Sequence, residues 1–307
     1  MKVRVTVQDG GTSNSRRRML AALALLPVSR AIAQAPATRP LRIGLTPVFL
    51  DDQAAFLRLW NDYLERRLER PVSFVQRGSY REVYELLAPG RIEFAWLCGY
   101  PYVRLGGQVR LMAVPRFQGT ALYHSYLIVP ASDTETRSLM DLRGKVFAFS
   151  DPDSNSGYLY PRYYLISRGE SPETFFRRTF FTWAHRNVVE AVASDLAQGG
   201  AVDSYVWETL AQFHPELTGR TRVAARSPGF GHPPFVARTD VPPRDFRAMQ
   251  DVLVGMAGDP EGVELLRRLN LDGFTVETPD LFDSIAEMWR ATEAASRRTA
   301  TAGGERR

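Results

Sequence analysis

Lys145-Val146-Phe147-Ala148-Phe149-Ser150-Asp151-Pro152-Asp153-Ser154-Asn155-Ser156-Gly157-Tyr158 decides how the rest of the chain is read. Its first half is a short apolar run of the kind that forms a strand buried on both faces. The run stops abruptly at Asp, Ser, Asn and Gly, which hydrogen-bond backbone locally and favour turns and helix starts. Pro161 fits only in the first turns of a helix, so the spacing predicts a helix beginning near Ser156 to Tyr158. The result is strand, polar loop, helix. Free N–H groups at such a helix start, flanked by Ser hydroxyls, suit an anion. They equally suit a plain N-cap, and the stretch alone leaves both readings open.

The same rhythm continues on either side. Downstream, Thr179–Trp183 reads as a strand, Asn187–Gln198 as a helix and Ala201–Tyr205 as a strand, with one more strand at Arg222–Ala225. Upstream, Leu41–Thr46 is a strand, and Phe56, Leu57, Trp60, Tyr63, Leu64 and Leu68 fall at helical spacing. Pro71–Val75 is a second strand, Tyr80–Leu87 a helix, and Ile92–Leu97 a third strand running into Cys98-Gly99-Tyr100-Pro101-Tyr102. Two βα series of this kind predict two α/β lobes with mostly parallel sheets and flanking helices. Val109–Pro115 and Ala121–Val129 read as the crossover out of the first lobe, and Pro233–Ala237 as the way back. The expected division is 34–130 plus 235–295 for the first lobe and 131–234 for the second. The tail from 296 to 307 is expected to be disordered. A ligand should bind in the cleft beyond the carboxyl ends of the strands.

Charge narrows the function. The 307 residues carry 39 basic and 34 acidic side chains, a formal net charge of +5. Residues 1–33 hold six of those basic residues and one acid, which leaves 33 of each in the remainder. A neutral body offers nucleic acid no basic face, so no nucleic-acid partner is expected. Ser15-Arg16-Arg17-Arg18, the apolar Met19–Leu26 and the small-residue site Ala31-Ile32-Ala33 form the three parts of an export signal, twin-arginine in style. Cleavage near Ala33 and a periplasmic location are the expectation. Cys98 is the single cysteine and His124, His185, His214 and His232 the only histidines, none in zinc-binding i, i+4 register. Neither a Gly-x-Ser-x-Gly elbow nor a Walker loop occurs, so no enzyme and no cofactor are expected.

At Asp151-Pro152-Asp153-Ser154-Asn155-Ser156-Gly157-Tyr158, Phe94–Tyr102, Gly78-Ser79-Tyr80 and Gly200-Ala201-Val202-Asp203 the chain resembles a family. It is similar to the periplasmic phosphonate/phosphate/phosphite-binding subunits of ABC transporters, which have the two-lobed type 2 periplasmic-binding-protein fold. The resemblance covers roughly Leu41 to Thr292. It implies a monomer that captures a small oxyanion and hands it to an inner-membrane permease. It also implies that Ser154, Asn155 and Ser156 hold the oxyanion, with Asn155 where the family usually has Thr. By the same resemblance Tyr80 and Tyr102 close the pocket from the first lobe, His185 reaches in from the second, and Asp203 faces the cleft from a strand end. The chain departs from aminophosphonate binders at Ser227–Pro234, where His232 stands in place of an acid. A donor there suits a compact oxyanion, with affinity expected to weaken as pH rises through the histidine's pKa. The alternative is an oxyanion sensor, for arsenite through Cys98, signalling to a membrane histidine kinase.

Overall fold

The computed structural model describes residues 39–47 and 54–304. The export signal read from the sequence lies outside those residues. Among the described residues thirteen strands run in chain order: β1 (Leu41–Leu45), β2 (Val72–Gln76), β3 (Phe94–Trp96), β4 (Val109–Arg116), β5 (Leu122–Tyr123), β6 (Ser125–Pro130), β7 (Val146–Phe149), β8 (Arg178–Phe181), β9 (Gly199–Asp203), β10 (Thr221–Arg226), β11 (Phe230–Gly231), β12 (Phe235–Arg238) and β13 (Gly273–Thr275). They form a six-stranded sheet ordered β13-β4-β12-β3-β1-β2 and a five-stranded sheet ordered β10-β6-β9-β7-β8. A two-stranded ribbon, β11-β5, accompanies them.

The βα series pair in parallel, as expected: β1 with β2 and β3, and β7 with β8 and β9. The strands that change sheets join antiparallel. β12 runs against β3 and β4, and β6 against β9 and β10. Each sheet is therefore mixed, not mostly parallel, because a strand arriving from the other sheet without a crossover helix enters pointing the opposite way. The first crossing also falls earlier than the expected boundary at 130, since β6 is already hydrogen-bonded into the five-stranded sheet. Ala121–Val129, read as one strand, breaks at His124, whose N–H donates to Ser204 Oγ at 2.9 Å and whose carbonyl accepts from Ser204 N. Its first part then pairs with β11 and its second with β9.

Aromatic packing accounts for the six-stranded half. Trp60 is fully buried, with its ring 5.8 Å from Trp96 and 5.1 Å from Phe74, and Phe235 and Phe274 close the cluster. In the five-stranded half Phe147 stacks on Phe176 at 4.6 Å, beside Phe149 and Phe181. Of the helices the sequence does not reveal, the two longest are Gly99–Leu105 and Ser204–Phe213. The first hides behind Pro101 in its opening turn; the second follows so closely on β9 that Ser204 and Tyr205 read as strand. The last helix, Asp283–Gly304, runs straight through the segment expected to be a disordered tail. Ser296 is pinned there, accepting from Arg162 Nη2 at 2.8 Å and donating to Thr292 O. Residues 305–307 lie outside the described part.

Candidate functional site

β7 delivers the chain to Ser150, and the loop that follows folds on itself. Asp153 N donates to Asp151 Oδ1 at 2.7 Å, and Ser154 N to Asp151 O at 2.9 Å. Asn155–Leu159 then forms a wide π-type turn, closed by Leu159 N donating to Ser154 O, before the helix Tyr160–Ile166. Such turns are rare and concentrate at functional positions. Ser154 is the N-cap: its Oγ accepts from Gly157 N at 3.0 Å. The cap reading and the anion reading both survive, on different residues.

His185 orders the next layer. Its Nδ1 accepts from Asp203 N at 3.1 Å, which puts the ring proton on Nε2, 3.4 Å from Ser154 Oγ. Ser154 Oγ thus takes two donors and has its own hydrogen left to give. Asp203 caps the helix Ser204–Phe213, with Oδ1 accepting from Tyr205 N at 2.8 Å and from Val206 N. From the six-stranded half, Cys98 Sγ accepts from Asn155 N at 3.3 Å, and Tyr80 N donates to Asp151 Oδ2 at 3.1 Å. Tyr123, which the sequence reading did not single out, accepts from Asn155 Nδ2 at 2.9 Å. It is fully buried, and its ring lies 5.4 Å from that of His232. In the sequence it is one aromatic in an apolar strand, with no signal that separates it from core.

The structure brings together Tyr80, Cys98, Ser154, Asn155, Ser156, His185, Asp203 and His232, each at most 3 % exposed. Tyr102 stands apart: its ring packs edge-on against Phe282 at 4.8 Å, and its hydroxyl hydrogen-bonds to none of the described residues. The unpaired polar atoms point to where a ligand sits. Among the described residues nine buried side-chain nitrogen or oxygen atoms lack a partner; four of them belong to this group and a fifth to Ser150, at the end of the strand that leads into it. They are Ser150 Oγ, Asn155 Oδ1, Ser156 Oγ and both ring nitrogens of His232. A buried, unsatisfied polar atom costs about 1–3 kcal/mol, so their concentration at one place argues for a polar ligand there. Turning the Asn155 amide over would let Tyr123 donate to Oδ1 and free Nδ2 for an anion.

A profile described as the periplasmic substrate-binding protein of a phosphonate ABC transporter matches residues 43–282. The chain belongs to this phosphonate-binding family. Within it, the phosphate-import protein PhnD of Mycolicibacterium smegmatis is 31% identical over 159 residues, 48% of this chain and 50% of that one. The phosphonates-binding periplasmic protein of Escherichia coli is 25% identical over 221 residues, 68% of this chain and 64% of that one. The matched stretch thus spans half to just under two thirds of these curated relatives. A binding-protein component of an ABC phosphonate transporter from Pseudomonas aeruginosa has the same two-lobed fold. It superposes with a TM-score of 0.76 at 19% identity, covering 84% of this chain and 88% of that one.

Electrostatics bear on two expectations about the candidate site. Burial pushes both His185 and His232 down to about 3. In the ligand-free protein each is neutral between pH 5.5 and 8 and donates one N–H, so the charged His232 on which the expected pH dependence of affinity relies is absent there. Burial also pushes the Cys98 thiol up to about 12, so no thiolate is available as a soft ligand. Among the described residues no helix is long and apolar enough to cross a membrane.

Asp203 carries the pH dependence instead. Burial raises it to about 7, against the donation of Tyr205 and Val206 N–H groups. The folded protein keeps this proton over a range where the unfolded chain has lost it, so ligand-free stability should fall as pH rises from about 4 to 7 and then level off. One proton difference limits the slope to roughly 1.4 kcal/mol per pH unit. Asp203→Asn retains the capping oxygen and removes the charge. Thermal melts of the variant should fall less steeply than wild type over this range, with the remainder from buried Asp151, and lie higher than wild type at pH 8; parallel melting curves would show that Asp203 ionises freely.

Proposed function

We propose that this protein is the solute-binding component of an ABC importer, capturing a small phosphorus oxyanion, phosphate or a short phosphonate, in the periplasm. The observation that carries the reading is the set of unpaired buried polar atoms on Ser150, Asn155, Ser156 and His232, placed against Tyr80, Cys98 and Tyr123. Hydroxyl, amide and imidazole donors are what a tetrahedral oxyanion needs, and exclusion of water strengthens each bond to charge. Burial on every side favours a compact ligand over a long organic tail. The phosphate-import and phosphonates-binding names of the relatives point to the same chemical class. Export through the arginine-rich leader with cleavage near Ala33, action as a monomer, and delivery to an inner-membrane permease belong to this reading. The arsenite-sensor alternative is not favoured: the family is a transporter component, and the Cys98 thiol is held neutral.

Isothermal calorimetry with phosphate, phosphite, methylphosphonate and sulfate tests the proposal on the purified protein. Submicromolar to micromolar binding of at least one phosphorus oxyanion, with sulfate much weaker, is the expected result. Silence from all four at millimolar concentration would overturn it.

A further inference from the structure

The loop after β7 carries two acids whose side chains hydrogen-bond to groups of the opposite half of the molecule. Asp153 is buried, its side chain 4% exposed, and three side chains from helices beside the six-stranded sheet converge on it. Arg104 Nη1 meets Oδ1 at 2.5 Å, while Arg81 Nε and Tyr84 OH meet Oδ2 at 3.3 and 3.1 Å. Arg104 is itself held over the rings of Tyr100 and Tyr84, at 5.4 and 6.0 Å. One residue pair away, Asp151 binds Tyr80 N through Oδ2 and Asp153 N through Oδ1. The two acids thus act as one unit that ties Tyr80 to the loop bearing Ser154, Asn155 and Ser156. An ionised carboxylate repels an anion, and the donors that engage both acids come from this loop and the opposite half.

We propose that Asp153, with Arg104 and Arg81, is a positioning residue for anion binding: the ion cluster latches the two halves so that donors from both face the ligand. This rests on the reading that the oxyanion binds between the two sheets. Arg81 is more than half exposed, and a pair of that kind contributes little. Arg104 is about one-third exposed and packed on two aromatic rings, so it holds most of the latch. A ligand that binds only the closed arrangement has an apparent Kd divided by the closed fraction. Weakening the latch therefore weakens binding without removing one ligand contact.

The experiment reads the distance between the halves without ligand. Spin labels go on Leu59→Cys and Leu196→Cys, which are 44% and 66% exposed, one in a helix packed on the six-stranded sheet and the other beside β9. Cys98 is buried and its thiol held neutral, so it does not compete for label. The ligand-free wild type should show a short-distance population that shrinks in Asp153→Asn and in Arg104→Gln, while Asp153→Glu restores part of it. Combining the first two should widen the distribution no further, because both remove the same contact. Raising salt should shift the wild type and leave the variants unmoved. Kd for phosphate should rise about tenfold in either variant, chiefly through faster dissociation. If Asp153→Asn and Arg104→Gln leave the ligand-free distances unchanged while both melt like wild type, the latch is refuted. Failure of the wild type to bind phosphate would strike the functional reading, and the ligand-free distances would still judge the latch.

Discussion

Gly157→Ala is expected to weaken anion binding severely and to destabilise the protein at the same time. A Cβ built on Gly157 falls 1.8 Å from Ser150 Oγ, 2.7 Å from Ser150 Cβ and 3.1 Å from His185 Cε1. The hydroxyl can rotate away, but the Ser150 Cβ cannot, and Ser150 N is tied to Gly157 O. The loop must shift, and overpacking of this kind costs about 1–3 kcal/mol. A displacement approaching 1 Å also takes Ser154, Asn155 and Ser156 out of register with Tyr80 and Tyr123, and binding sites tolerate only about 0.5 Å. Phosphate affinity should fall by about a hundredfold or more, as read by calorimetry, with a melting temperature several degrees lower. Ser150→Gly in the same chain removes both close atoms and should restore much of the stability. A Gly157→Ala protein that melts and binds like wild type would mean the loop is not packed as described.

Ser156→Ala and Ser154→Ala should separate the two jobs that the Ser-Asn-Ser stretch performs. Ser156 Oγ is buried with no hydrogen bond of normal geometry and only the Tyr123 hydroxyl nearby, so deleting it removes a donor to the anion and little from the ligand-free protein. A hydrogen bond to a charged group is worth about 1.5–3 kcal/mol, or roughly ten- to a hundredfold in affinity. The ligand-free melting temperature should stay level or rise slightly. Ser154 Oγ caps the turn through Gly157 N, so its removal should lower ligand-free stability by about 0.5–2 kcal/mol as well as weakening affinity. Thermal melts with and without phosphate distinguish the cases. Equal loss of ligand-free stability in both variants, with affinity intact, would reduce the whole stretch to a cap.

The candidate site was legible in the sequence where chemistry and turn residues coincide. Asp151–Gly157 combines a strand end, helix-starting residues and small donors within seven positions, and the structure keeps all of them together. Tyr123 was not legible, because an aromatic in an apolar strand has the same pattern whether it packs a core or lines a cleft. Tyr102 shows the converse: beside Cys98 in sequence, its ring turns to Phe282 once Gly99–Leu105 coils into a helix. The roles of His232 and Cys98 also depended on burial, since the imidazole and the thiol titrate according to how much water reaches them.

By itself the sequence determined the two βα series, the parallel pairing inside each, and the polar loop at the end of β7, because hydrophobic period and turn chemistry act over a few residues. Only the tertiary structure decided where strands change sheets, and hence that the sheets are mixed. It also decided which tyrosine meets Asn155 and that Asp153 is gripped by Arg81, Tyr84 and Arg104 from some fifty to seventy positions away. Those pairings join segments whose local patterns are indifferent to each other, and packing two half-buried surfaces is what selects them.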